Sequence, residues 1–168
     1  LYSHLSDWQE SQQELKKAPL LSGMATFPMA GMILSTYLLR ILPTSMGIIA
    51  QALWWFAFLL DVGLIIYFTK NYVQTKPRTS ATPSWTVLYV GIAVASLTYP
   101  VVGIVEIAYG AWIFGFTLTL FLYPLIYQDL KSNPLPRALL GQEGIYCAPF
   151  SLLLAALVRI GGSGLHVW

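Results

Sequence analysis

The sequence predicts an all-α protein, a polytopic transmembrane bundle of five membrane helices. Five apolar segments follow one another along 168 residues, of which 57% are hydrophobic and only 10% are charged. A water-soluble protein of this composition would leave much of its apolar surface without a polar coat. The basic residues of the connections fall almost entirely on alternate sides, which is typical of a chain that crosses a bilayer repeatedly.

The five segments are numbered here in chain order. Each is long enough, or nearly so, to cross a hydrocarbon core of about 30 Å, although the fifth is short and calls for tilted neighbours. The predicted spans are residues 20–39, 46–69, 85–105, 108–127 and 145–160. They are flanked by a cytoplasmic arm at 1–19 and an external tail at 161–168. Because the chain does not begin with Met, we expect it to be a fragment.

The basic residues predict the orientation, because lysine and arginine resist translocation while acidic residues influence it little. Seven of them share one face of the predicted topology: Lys16, Lys17, Lys70, Lys76, Arg78, Lys131 and Arg137. Arg40 and Arg159 lie on the opposite face. We therefore predict a multi-pass protein of a bacterial inner membrane, with the residue 1 end in the cytoplasm.

Two kinds of segment alternate along the chain. Stripes of small and hydroxyl residues, which let helix backbones approach closely, occur in segments one, three and five. Their members are Ser22, Thr26 and Ala30, then Gly91, Ala95, Ser96 and Thr98, then Cys147, Ser151 and Ala155. Segments two and four are rich in large aromatic residues, which suit a lipid-facing wall. We therefore predict that segments one, three and five lie inside and that segments two and four lie outside.

Prolines in the inner segments leave a further choice open. Pro28, Pro100 and Pro149 lie in or beside them, and a proline within a membrane helix frees a carbonyl that protein or a water-filled cavity must satisfy. Spacing alone favours simple helix packing. The repetition of the stripe on each alternate segment favours a conduit.

Three stretches together resemble the tellurite-resistance and dicarboxylate transporter family, which includes the plant slow anion channels. They are TFPMA at 26–30 with STY at 35–37, PSW at 83–85 with YVGIAVAS at 89–96, and Leu135-Pro136 with Ala148, Pro149 and Ser151. The chain is similar to a bacterial branch that is often labelled exfoliative toxin. The resemblance implies a ten-helix pore of five hairpins in a homotrimer, with this chain supplying helices three to seven. The family's aromatic gate, on the ninth helix, has no counterpart here.

An anion pathway in this chain would use neutral groups, because the inner segments contain no Lys or Arg before Arg159. Hydroxyl groups and the backbone dipoles exposed at the proline bends would supply a modest positive potential. The predicted pore-lining residues are Thr26, Phe27, Pro28, Ser35, Tyr89, Gly91, Ser96, Tyr146, Pro149, Phe150 and Ser151. Phe27, Tyr89, Tyr146 and Phe150 are the candidate constriction residues, and packing between helices is the alternative for each.

Asp61 is the one acidic residue well inside an apolar segment. An intramembrane carboxyl group is by default a hypothesis of function, here the coupling of protons to anion movement. Asp61 lies on a predicted outer segment, about two and a half helical turns from Lys70. That position favours the alternative of an interfacial or helix-pairing role.

Enzymatic and nucleic-acid functions find no support. His4 and His166 lie at opposite ends of the chain and on opposite predicted sides of the bilayer, so that neither a shared metal site nor a Ser-His-acid triad is supported. There is no phosphate-binding glycine loop and no basic stripe for nucleic acid. We expect no cofactor, no metal and no disulfide.

The sequence therefore predicts a transporter or channel for small anions, either C4-dicarboxylates such as malate or inorganic anions. The alternatives are a membrane scaffold or binding protein without transport, and an exporter of sulfite or tellurite-related compounds. The sequence does not rank these substrates.

Overall fold

The structure is a computed structural model that describes residues 18–43, 46–74, 81, 83–132, 144–145 and 147–162. Over these residues the chain is all-helical, and the predicted α-helical membrane bundle is confirmed. The helices are α1 Ala18–Gly23, α2 Thr26–Ile41, α3 Gly47–Phe68, α4 Ser84–Gly91, α5 Val94–Thr98, α6 Val105–Ser132 and α7 Ala148–Gly161. A π-helical turn, Thr69–Val73, extends α3, and a 3-10 turn, Tyr99–Val101, follows α5.

Three helical stretches in the described part of the chain are long and apolar enough to cross a membrane: Leu21–Ile41, Gly47–Val73 and Val105–Ser132. A fourth span is formed if the bent pair Ser84–Gly91 and Val94–Val101, whose axes differ by 41°, is taken as one. Helix α7 has 14 residues. At about 1.5 Å per residue it is shorter than a bilayer core.

Segment three, which comprises α4, α5 and the 3-10 turn, lies at the centre of the bundle. Its helices contact those of every other segment, and almost all residues of α4 and α5 are buried. Large apolar side chains on the outer faces of the other segments are exposed, among them Phe56, Leu59 and Phe121. These faces are suited to contact with lipid.

Segment two packs more closely against segment three, at the centre of the bundle, than its aromatic content predicts. The prediction that its aromatic residues face lipid is wrong for Trp54 and Phe68, which are fully buried. Trp54 Nε1 donates to Thr98 Oγ1 at 2.8 Å, and the ring of Phe68 meets Trp85 edge to face at 5.2 Å between centroids. Both side chains therefore pack on segment three.

Segment one is broken at Met24 and Ala25, between α1 and α2. Pro28 accounts for the break, because it has no N–H group to donate to the Met24 carbonyl four residues earlier. The Phe27 N–H donates to that carbonyl instead, at 3.1 Å. Pro28 thus lies in the first turn of α2 and not in the middle of a continuous helix.

Segment three is broken at Ile92 and Ala93, directly after Gly91. Hydrogen bonds between residues three apart replace the α-helical bonds there. The Ala95 N–H donates to Ile92 O at 2.9 Å, and the Ser96 N–H donates to Ala93 O at 3.0 Å. The tighter turn that these bonds form changes the direction of the helix axis. Segments one and three thus both contain a turn, but the bend of more than 40° belongs to segment three.

Candidate functional site

A partly open cavity of about 220 Å³ lies between segments one, three and five. Its lining residues are Met29 from segment one, Thr86, Val87, Val90 and Gly91 from segment three, and Ala148, Pro149 and Leu152 from segment five. None of these carries a charge, and all but Thr86 are apolar. The cavity thus lies where the three segments predicted to be inside approach one another.

Gly91 gives this cavity its shape. A Cβ atom added to Gly91 would lie 2.7 Å from the Sδ atom of Met29, closer than side chains tolerate. The absence of a side chain therefore lets Met29 lie across the backbone of α4. Segments one and three meet closely at this point, next to the break at Ile92 and Ala93.

A helix N-terminus supplies polarity that the lining side chains lack. Ala148 and Pro149 form the first turn of α7, and Met29 follows the first turn of α2. The first amide N–H groups of a helix have no acceptor within it, and they carry the positive end of the helix dipole. At α2 the Phe27 and Met29 N–H groups already donate to the Met24 and Ala25 carbonyls. The N-terminus of α7 is therefore the one that favours an anion over a cation at this cavity.

The predicted lining residues divide into several groups in the structure. Gly91 and Pro149 line the cavity. Pro28 is buried beside Met29, and Tyr146 lies outside the described residues. Phe27 is 73% exposed on the outer face of α2.

The predicted hydroxyl groups donate to backbone carbonyls. Ser96 Oγ donates to Ala108 O of segment four at 2.7 Å, and Ser35 Oγ donates to Met32 O within its own helix. Thr26 and Ser151 are exposed and donate to carbonyls three residues earlier. None of the four lines the cavity.

The two remaining aromatic candidates contact neighbouring segments. Tyr89 is buried, and its hydroxyl is 2.7 Å from Thr69 Oγ1 at the end of segment two. Phe150 is 53% exposed, and its ring packs on Tyr123 of segment four at 4.8 Å between centroids. Neither ring reaches the cavity between segments one, three and five.

The sequence of residues 2–167 matches the SLAC1 family, described as voltage-dependent anion channel. The chain belongs to this family. The predicted recognition is thereby confirmed. No curated protein and no solved structure gave a significant match. Members of the SLAC1 family are anion channels or transporters and not enzymes, and this chain is a multi-pass membrane protein of that family.

Several residues that line the cavity of this SLAC1-family chain were missed in the sequence. Met29, Val87, Val90 and Leu152 are apolar, so that no polar pattern distinguished them from ordinary core residues. Helical periodicity was the available signal, because Val87 lies four residues before Gly91 and three before Val90 and so shares a side of α4 with each.

Asp61 lies away from this cavity and is fully buried on α3. Among the described residues, neither of its carboxyl oxygens has a hydrogen-bond partner. Helix pairing through a hydrogen bond, one of the roles considered for it, is therefore not seen among the described residues. The same part of the chain contains no group of three His, Cys, Asp or Glu residues that could hold a metal ion.

Proposed function

We propose that segments one, three and five of this chain form the wall of an anion pathway. The observation that carries the proposal is the cavity of about 220 Å³ bordered by all three segments. Its apolar side chains bind an anion weakly, while the N-terminus of α7 offers a favourable potential. Weak binding lets an ion leave as readily as it enters, which a conducting pathway requires.

The proposed cargo is a small anion, either an inorganic monovalent anion or a C4-dicarboxylate such as malate. The free-energy cost of removing water from an ion rises steeply with its charge. The lining residues include no lysine or arginine that would compensate a second negative charge. The chemistry of the described lining therefore favours the monovalent class.

The proposed setting is a bacterial inner membrane, with the residue 1 end in the cytoplasm. The distribution of basic residues supports this orientation. We further propose that the chain supplies helices three to seven of a ten-helix pore and that three such pores form a homotrimer. In that arrangement other helices cover the exposed side of the cavity.

Anion flux into proteoliposomes tests the proposal. The protein, expressed from its complete coding sequence, is expected to carry nitrate faster than malate. Leu152→Trp places a large ring at a residue that lines the cavity and is expected to reduce the flux strongly. Leu154→Trp is the matched control, because Leu154 lies two residues along the same helix and is exposed.

Two outcomes would contradict this function. An absence of both nitrate and malate flux in the unmodified protein would favour the scaffold or binding alternative. Equal flux in the two tryptophan variants would exclude the described cavity as the pathway. If the protein instead exports sulfite or tellurite-related compounds, cells that express it are expected to resist these compounds. Cells that lack the protein are expected to lose this resistance.

A further inference from the structure

The environment of Asp61 follows from the antiparallel packing of α2 on α3. A Cβ atom on Gly31 would lie 3.0 Å from the Cβ atom of Ala57, and Ile65 belongs to the same buried cluster as Ala25. Asp61 lies one turn from both Ala57 and Ile65, on the same side of α3. Its carboxyl group is therefore level with the segment one stretch between residues 25 and 31, which contains the helix break.

The carboxyl group of Asp61 lacks the partners that an ionised group needs. It is fully buried, and neither oxygen has a hydrogen bond within the part of the chain that the structure describes. An unpaired carboxylate in an apolar interior is so unfavourable that such a group normally takes up a proton. A metal ion would need several oxygen ligands, and the described residues place no cluster of acidic or histidine side chains here.

Titratable and charged groups on the elements that pack against α3 do not neutralise this carboxyl group. They are Tyr37 and Arg40 on α2, Tyr89 on α4, Tyr99 on the 3-10 turn, and Lys70 and Tyr72 on the π-helical turn; α3 itself also carries Tyr67. None is hydrogen-bonded to Asp61. Lys70 lies about 13 Å away along the helix axis, and it is exposed, as is Arg40.

We propose that Asp61 is a proton-binding site which is neutral while it is buried between segments one and two and which exchanges its proton when water reaches it. The O–H bond of the acid breaks, a water molecule takes the proton, and a carboxylate remains until a proton returns. This inference rests on the proposed anion pathway. It makes the access of water to Asp61 the step that links anion movement to proton movement.

Infrared spectroscopy tests the protonation state directly. The chain contains three aspartates, Asp7, Asp61 and Asp129. With carboxyl-13C-labelled aspartate, the unmodified protein at neutral pH is expected to show the carbonyl-stretch band of a protonated carboxyl, shifted by the isotope. The band is expected to vanish in Asp61→Asn. No such band in the unmodified protein would overturn the proposal without any variant having to fold.

Flux measurements test the coupling. A nitrate gradient across proteoliposomes is expected to move protons, as reported by a pH-sensitive dye inside the vesicles. Asp61→Asn mimics the neutral acid, and it is expected to keep anion flux while proton movement falls to background. Glu106→Gln is the control, because Glu106 is an exposed carboxyl at the start of α6, and it is expected to retain both.

The outcomes separate this inference from the proposed function. Anion flux without proton movement in the unmodified protein would overturn the coupling and leave the anion pathway intact. Proton movement that persists in Asp61→Asn would assign the coupling to another group. If no anion flux occurs, the proposed function fails, while the infrared band still decides whether Asp61 binds a proton.

Discussion

Gly91 is the residue at which sequence, packing and the cavity meet. Its missing side chain lets Met29 cross α4, and both residues line the space between segments one, three and five. A glycine inside a helix ordinarily costs about 0.5–1 kcal/mol relative to alanine. The close approach of Met29 explains why this position is occupied by glycine in spite of that cost.

Gly91→Ala is expected to slow anion flux, because the added methyl group forces the Met29 sulfur toward the cavity. Its effect on stability is expected to be small, because the Met29 side chain is flexible and a glycine inside a helix itself costs about 0.5–1 kcal/mol relative to alanine. Flux and thermal unfolding in detergent measure the two effects. Gly110→Ala is the control, since nothing lies within 4 Å of a Cβ atom there. Adding Met29→Ala to the Gly91→Ala variant is expected to restore flux. Unchanged flux in Gly91→Ala alone would contradict the prediction.

Gly103 has a different role, in the turn between segments three and four. Its φ is 74°, a left-handed conformation that costs other residues about 1–2 kcal/mol. Gly103→Ala is therefore expected to lower stability by that amount, measured by thermal unfolding. Gly63→Ala, at an exposed helical position with free space, is expected to have no effect or to stabilise slightly. Equal stability of the two variants would exclude strain in this turn.

At the scale of the elements, indole groups join neighbouring segments. Trp54 of segment two donates to Thr98 of segment three at 2.8 Å, and Trp112 of segment four donates to the Leu153 carbonyl of segment five at 2.9 Å. Between membrane helices, where lipid provides no hydrophobic drive for association, packing and such hydrogen bonds hold the helices together.

Trp54→Phe is expected to lower stability by about 1–3 kcal/mol, because it removes the hydrogen bond to Thr98 and part of a fully buried ring. Trp55→Phe is the matched control, because the neighbouring indole is on the exposed side of α3. Thermal unfolding of both variants in the same detergent measures the difference. Equal losses would show that the indole at Trp54 does not hold segment two to segment three.

The sequence predicted the family and the helical membrane bundle, because long apolar runs and motif order are local features. It did not predict the break at Ile92 and Ala93. This break contains no proline and depends on hydrogen bonds between residues three apart. It also expected hydroxyl groups to face the pathway. In an apolar interior a hydroxyl such as that of Ser96 instead donates to a backbone carbonyl, and sequence spacing does not reveal which one.

At the scale of the whole molecule, segment three is surrounded by the other four, and the predicted inner segments one and five also expose apolar faces. The cavity lies on the side of segment three where segments one and five approach it. Its partly open form fits the proposed arrangement, in which further helices of a ten-helix pore close this side. The orientation of the bundle in the membrane then decides from which side the cavity is entered.

Cys147 provides a direct test of that orientation. It is the only cysteine in the chain, is exposed, and directly precedes Ala148 and Pro149 of the cavity wall. In the proposed topology segment five begins at the cytoplasmic side. A membrane-impermeant, negatively charged thiol reagent is therefore expected to modify Cys147 only from the cytoplasmic side and to reduce anion flux, because the added charge repels anions at the cavity.

Matched cysteine positions complete this experiment. In protein whose cysteines outside these 168 residues are replaced by serine, Cys147→Ser is expected to be insensitive to the reagent from either side. Adding Arg159→Cys to that variant places a thiol at an exposed position in the last turn of α7, and it is expected to react only from the external side. Modification of Cys147 from outside would reverse the proposed orientation. If Cys147 is modified from the cytoplasmic side without any change in flux, the proposed orientation stands. The proposed position of Cys147 at the pathway is then wrong.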